Sequence, residues 1–242
     1  MRLERNTAAG CLLALAFVFA PPPLPAGESL TPHRAQYKVK ISVLSGRLTT
    51  ELRATDTGYA ADHRVEPTGF ADLLSDGEIR ETSEFNRGDN GMLPVHYTSM
   101  DTITKDKTRA DLRFDWTTGE MAGEINGEEV LQLLDRLMHD RVSIQYALMH
   151  DLMTGDTAGE YLLFDIDEFK PLLVRQIGEK RVKVPAGSYD VIGISHQAQG
   201  SSRVTTLWCA KELDYLPVLI EQHRKGKRNF HAKLVRYEPT ES

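Results

Sequence analysis

The sequence predicts a mainly β protein: a single large antiparallel sheet curled into a barrel or half-barrel, with one amphipathic helix over about residues 141–153. Three observations carry that prediction. Apolar and polar residues alternate with period two through most of the chain, short Gly, Asp, Asn or Pro turns separate the alternating runs, and only one segment switches to helical spacing. Composition agrees with a folded chain. Its 242 residues are 40% hydrophobic and 26% charged, which excludes a disordered polypeptide, and 2 cysteines exclude a disulfide scaffold. A net charge of −6 argues against a nucleic-acid binder, which needs surplus Lys and Arg to displace counterions from phosphate.

The first alternating run covers 33–44, with Tyr37, Val39, Ile41 and Val43 on one face and Lys38, Lys40 and Ser42 on the other. Ser45-Gly46 is expected to turn it into 47–55, and Thr57-Gly58 leads into 59–65. A short helical turn is expected over 70–75, followed by strands at 78–86, 95–103, 108–116 and 119–125. Asn126-Gly127 is the strongest hairpin signal in the chain, because both central residues of a type I′ turn need positive φ. It directs 128–133 into the next strand.

Helical spacing then appears in Val142, Tyr146, Met149 and Met153, broadened by Ile144 and Leu148. Asp140 is the expected N-cap and Gly155 the expected stop. A helix starting at Glu128 competes, but Asn-Gly in mid-helix is costly at both positions. Strands resume at 160–169, 172–184, 188–197, 203–210, 217–225 and 229–237, with Pro185-Ala186-Gly187 as a turn. The total is on the order of 11–13 strands. No Pro/Gly-rich gap divides them, so 33–238 reads as one β-rich domain after a short linker, 27–32.

The first 26 residues read differently. Arg2 and Arg5 precede an apolar run from Cys11 to Ala20, a proline-rich stretch follows, and Ala26 supplies a small residue at a cleavage position. That is the pattern of a secretory signal peptide, and the run is too short to span a membrane. Ala8-Ala9-Gly10-Cys11 imitates a lipoprotein box but precedes the apolar run instead of following it. The expected location is therefore outside the cytoplasm, in the periplasm, with no transmembrane segment after cleavage. Cys209 is then the one cysteine left, so no internal disulfide is available. Beside Trp208 in a strand, it reads as a small buried hydrophobe.

Several segments carry a family resemblance. The run from Asp140 through Arg141, Ser143 and Tyr146 to Leu148 resembles the helix-opening motif of the exported bacterial family catalogued as domain of unknown function 3108. Val184-Pro185-Ala186-Gly187-Ser188-Tyr189 is similar to the same family. So are Trp208-Cys209-Ala210 with Tyr215-Leu216-Pro217-Val218, Phe114-Asp115-Trp116, and the spacing from Tyr59 to Gly69-Phe70. The resemblance runs from about His33 to Tyr237. It implies an exported, β-rich protein and brings no catalytic residues with it.

Candidates for chemistry are few. Asp135, His139 and Ser143 have the residue types of a hydrolytic triad at spacings of four, yet no Gly-x-Ser-x-Gly elbow surrounds Ser143. A capping or solvated role is the expected one. The eight histidines form no H-x-x-x-H or H-x-H pair; His223 and His231 are placed to face each other across a hairpin, two ligands without a third. Asp165 and Asp167 share a strand face but lack the glycine and terminal glutamate of a calcium loop. Lys225-Gly226-Lys227-Arg228 reads as a hairpin tip, and Lys180-Arg181-Lys183 as an exposed edge, where lysines block strand-to-strand association. No Gly-rich loop follows a strand, so no nucleotide cofactor is expected. No catalytic, cofactor-binding or metal residue is assigned.

Two functions fit these observations. The first is a non-catalytic envelope binding or assembly factor, for an apolar ligand or lipid or for an envelope protein partner, with the Met-bearing helix as adaptable lining. The alternative is an envelope hydrolase whose site is assembled from strand ends.

Overall fold

Fourteen strands, all antiparallel to their neighbours, form one sheet with the order β8-β7-β6-β5-β4-β3-β2-β1-β14-β13-β12-β11-β10-β9. The computed structural model describes residues 29–240 apart from 72–76, 89–90, 106, 156–158 and 167. The expected leader at 1–26 and Asp167 lie outside the described residues, as does most of the helical turn expected at 70–75. Only a 3-10 turn, Gly69–Ala71, is described there.

Two meanders make the sheet. The first comprises β1 (His33–Ile41), β2 (Leu44–Ala54), β3 (Gly58–Thr68), β4 (Ile79–Gly88), β5 (Gly91–Asp101), β6 (Arg109–Asp115), β7 (Glu120–Ile125) and β8 (Glu128–Leu133). The second comprises β9 (Gly159–Asp165), β10 (Glu168–Val184), β11 (Gly187–Ala198), β12 (Arg203–Ala210), β13 (Leu216–Arg224) and β14 (Lys227–Pro239). They join where β14 pairs with β1, so the two chain ends sit mid-sheet and the edges are β8 and β9. The helix α1 (Ser143–Thr154) lies between β8 and β9 in sequence and carries the chain from one edge to the other.

The sheet curls around that helix. Arg141 Nε lies 3.2 Å from Glu81 Oε1 on β4 and 3.7 Å from Asp165 Oδ1 on β9. Those strands are nine places apart in the sheet order, roughly 43 Å if the sheet were flat. One guanidinium spans them only because the sheet bends back on itself. The two edges do not pair, and the sheet stays open. Six residues past the end of β8, His139 makes an isolated parallel bridge to Leu163 on the free edge of β9. The His139 amide donates to the Leu162 carbonyl and the Phe164 amide to the His139 carbonyl, each at 2.8 Å.

Period-two alternation becomes burial on the inner face. In β6, Ala110, Leu112 and Phe114 are buried while Arg109, Asp111, Arg113 and Asp115 are exposed. Each large side chain so buried contributes roughly 1.5–3 kcal/mol. The helix is enclosed on two sides. Tyr146, Ala147 and Met149 join the main core, where Tyr146 stacks on Phe85 at 5.3 Å; Leu148 and Leu152 join a second core with Val174, Ile192, Ile194, Leu207 and Cys209. The apolar surface is therefore wider than one stripe, as a helix inside a curled sheet requires.

The N-cap position is Val142 and not the expected Asp140, yet Asp140, three residues before regular helix begins at Ser143, supplies the capping carboxylate. Its Oδ1 accepts the amides of Val142 and Ser143 at 2.8 Å, and its carbonyl accepts the Ile144 amide at 3.2 Å. Gly155, with φ 88°, ends the helix as expected. Asn126-Gly127 forms the predicted hairpin with φ of 54° and 88°.

Two expectations about turns are corrected. The first hairpin turns at Ser42-Val43, with Ile41 opposite Leu44 and Ser42 at φ 56°, not at Ser45-Gly46. Gly46 lies inside β2 opposite Val39, where a Cβ would come within 2.9 Å of the Glu66 carbonyl oxygen, so the glycine admits a close neighbour strand. The run 160–169 is likewise two strands, divided after Asp165 with Ile166 at φ 64°. Residues before His33 also pack: Leu30 is buried and its amide donates to the Tyr59 hydroxyl at 2.9 Å.

Candidate binding cleft

A cleft of about 1160 Å³ opens between the N-terminal half of α1 and the inner faces of β9 to β13. Its base is the second core, because Leu148 and Leu207 belong to both. Side chains grow more polar toward the mouth. On β12 and β13 the inward positions are paired: Leu207 with Ile220, then Thr205 with Gln222, then Arg203 with Arg224. Gln222 donates to Thr205 Oγ1 at 3.2 Å and accepts from Asn229 at 3.3 Å, which fixes the middle rung. His196 lies beside Thr205 on β11, and burial pushes its pKa down to about 4, so its ring is neutral.

The opposite wall is ionic. Arg141, already joined to Glu81 and Asp165, shares Asp165 with Lys170, which also pairs with Glu168 at 2.7 Å. Burial lowers the Arg141 pKa, but Glu81, Tyr97 and Asp165 outweigh it, so the pKa is raised and the guanidinium stays charged. Gln145 also lines the cleft, and its buried Nε2 has no hydrogen-bond partner among the described residues.

The triad-like residues are not brought together. Asp135 is exposed beside Arg136, while His139 and Ser143 are buried and precede or open the helix instead of sharing one of its faces. Ser143 Oγ accepts the Asp140 amide at 3.0 Å, a capping role. His223 and His231 do not face each other either. His223 pairs with Arg228 and His231 with Glu221, because the hairpin turns tightly after Arg224, which pairs with Lys227, and so brings His223 opposite a residue well short of His231. Among the described residues no cluster of three His, Cys, Asp or Glu is placed to hold a metal.

The hairpin tip expected over 225–228 is narrower: the turn is Lys225-Gly226, and Lys227 and Arg228 already pair in β14. Lys180 lies on the half of β10 that β9 does not cover, with its Nζ 3.3 Å from the centre of the Trp208 ring. Cys209 is buried, and burial raises its thiol pKa well above the ordinary range. No helix among the described residues is long and apolar enough to cross a membrane.

The cleft-facing residues Arg203, Arg224, His196 and Gln145 escaped sequence reasoning. Their only signal is parity: Arg203 and Thr205 continue the alternation of Leu207, and Arg224 and Gln222 that of Ile220. That parity means an inward position only once the register of β12 and β13 is known.

Fold and cleft together define a barrel-like β protein with an open sheet wrapped around one helix. A family model described as "Protein of unknown function (DUF3108)" matches residues 34–229, and the chain belongs to that family. Among solved structures, it is similar to a beta-barrel-like protein of domain of unknown function DUF1849 from Brucella abortus. The identity is 14% and the TM-score 0.61, over 88% of this chain and 100% of that one. At that identity the likeness shows the fold. No curated protein matches the chain.

Proposed function

We propose that this protein is a non-catalytic binding module of the bacterial envelope that holds an apolar or lipid-like ligand in the cleft beside α1. One observation carries the reading: the second core does not end in packed protein but opens, through Leu148 and Leu207, into about 1160 Å³ of space. Close-packed interiors rarely leave such space unfilled, and a cleft with an apolar base and a few polar groups at its mouth is the usual form of a small-molecule site. The leader read at residues 1–26 supports export to the periplasm.

Native mass spectrometry of the protein purified from its own envelope tests the binding reading. A co-purifying amphiphile, lost when Leu207→Arg fills the base of the cleft, is the expected result. Protein that arrives ligand-free and takes up no lipid from added vesicles overturns it. Amino-terminal sequencing of the periplasmic fraction tests export, with a new terminus near Gly27 expected.

A further inference from the structure

The mouth of the cleft carries an arrangement that costs stability unless something negative binds there. Arg203 opens β12 and Arg224 closes β13, and the two stand directly opposite each other. Like charges facing across a strand pair repel. Both side chains line the cleft, both are exposed, and neither forms an ion pair among the described residues. The chain is not short of acids, with 35 Asp and Glu against 29 Lys and Arg. The neighbouring acid Glu221 points the other way and pairs with Arg228 at 3.0 Å. The other cleft cations, Arg141 and Lys170, are already matched by Glu81, Asp165 and Glu168. Arg203 and Arg224 are thus the unmatched pair of the cleft.

Behind them the inner face changes character in register. Thr205 and Gln222 form the polar rung, and Leu207 and Ile220 the apolar one, four residues or roughly 13 Å down the strand. A ligand that satisfies all three levels has an oxyanion at one end and an apolar chain at the other. Two guanidinium forks on adjacent strands converge on one such group, since planar Arg donors match carboxylate and phosphate oxygens.

We propose that the cleft selects an anionic amphiphile: a carboxylate or phosphate head held between Arg203 and Arg224, with its single apolar chain running down over Thr205 to Leu207 and Leu148. This rests on the binding reading above and adds the headgroup charge to it. The mature protein is titrated with dodecanoate, dodecyl phosphate and dodecanol, followed by calorimetry, alongside the double variant Arg203→Gln/Arg224→Gln. Wild-type protein binds at least one anion about tenfold to a hundredfold more tightly than dodecanol, the range expected for charge-assisted hydrogen bonds. The double variant loses that preference, and thermal melting at or above the wild-type temperature, as relief of the repulsion requires, shows that it folds. Whichever anion is preferred separates a fatty-acid head from a phosphate head.

Equal binding of anion and alcohol by the wild type overturns the proposal and leaves the binding reading standing. So does a double variant that keeps the preference. No binding of any of the three amphiphiles overturns both.

Discussion

Asp140 and Ser143 cap each other. The Asp140 carboxylate accepts the Ser143 amide at 2.8 Å, and the Ser143 hydroxyl accepts the Asp140 amide at 3.0 Å, with Ser83 on β4 donating to the second carboxylate oxygen at 2.6 Å. This reciprocal bond starts the helix and anchors it to the sheet in one cluster, all of it buried.

Burial pushes the Asp140 carboxyl up to about 6 despite those hydrogen bonds. A pKa raised in the folded state means stability that is full below the unfolded value of 3.8 and lost as pH rises through about 6. Asp140→Asn keeps the cap and removes this loss. Its stability relative to wild type therefore rises by on the order of 2 kcal/mol between pH 4 and 6. His63, His139 and His196, each lowered to about 4 by burial, work oppositely: their stability is present above pH 6.5 and lost toward pH 4. Urea midpoints across pH 4–7 read both, and parallel profiles for the two proteins refute the assignment. Asp140→Ala, which leaves three donors unpaired, is expected to cost roughly 2–4 kcal/mol at pH 4, a cost that shrinks toward pH 6 because the variant lacks the same titration.

Arg141→Met removes a charge that β4 and β9 share. Glu81 is left largely buried beside the Tyr97 hydroxyl, which donates to it at 2.6 Å. The expected cost is roughly 1–3 kcal/mol, below that of breaking a fully buried pair because 37% of the Arg141 side chain is exposed. Faster amide exchange in β9 than in β6 is the accompanying sign; uniform exchange counts against the tie.

Two glycine substitutions separate space from backbone strain. A Cβ at Gly58 falls 2.2 Å from the Phe85 carbonyl oxygen in the neighbouring strand, where only backbone is available to move. Gly127 has φ 88° but nothing within 4 Å. Gly58→Ala is expected to cost about 2–3 kcal/mol and Gly127→Ala about 1 kcal/mol. Thermal or urea denaturation checks the order, and the reverse order contradicts the close approach of β3 and β4.

Cys209, 2% exposed in the second core, is expected not to react with an aromatic disulfide reagent in native protein. Labelling that appears only across the unfolding transition supports its buried place; rapid labelling in buffer rejects it.

Local signals were legible where they are sufficient by themselves. Asn126-Gly127 fixed a hairpin because its φ requirement is met by few residue types, and Asp140 and Gly155 bounded the helix for similarly local reasons. Ser42-Val43 was not legible. Its alternation continues smoothly through the turn, and the glycine that looked like punctuation, Gly46, answers to Glu66 on the next strand. The histidine pair failed for a related cause, since the tight two-residue turn that pairs Arg224 with Lys227 sets a register in which His223 and His231 have different partners.

By itself the sequence determined the β class, most strand positions, the single helix and its two ends, because alternation, turn chemistry and capping act over a few residues. Only the tertiary structure decided that the sheet stays open, that the helix runs inside it, and that Arg203 meets Arg224 at the mouth of a cleft with an apolar base. Those outcomes depend on register and curvature summed over fourteen strands, so residues far apart in the chain become neighbours. No local rule sees that sum.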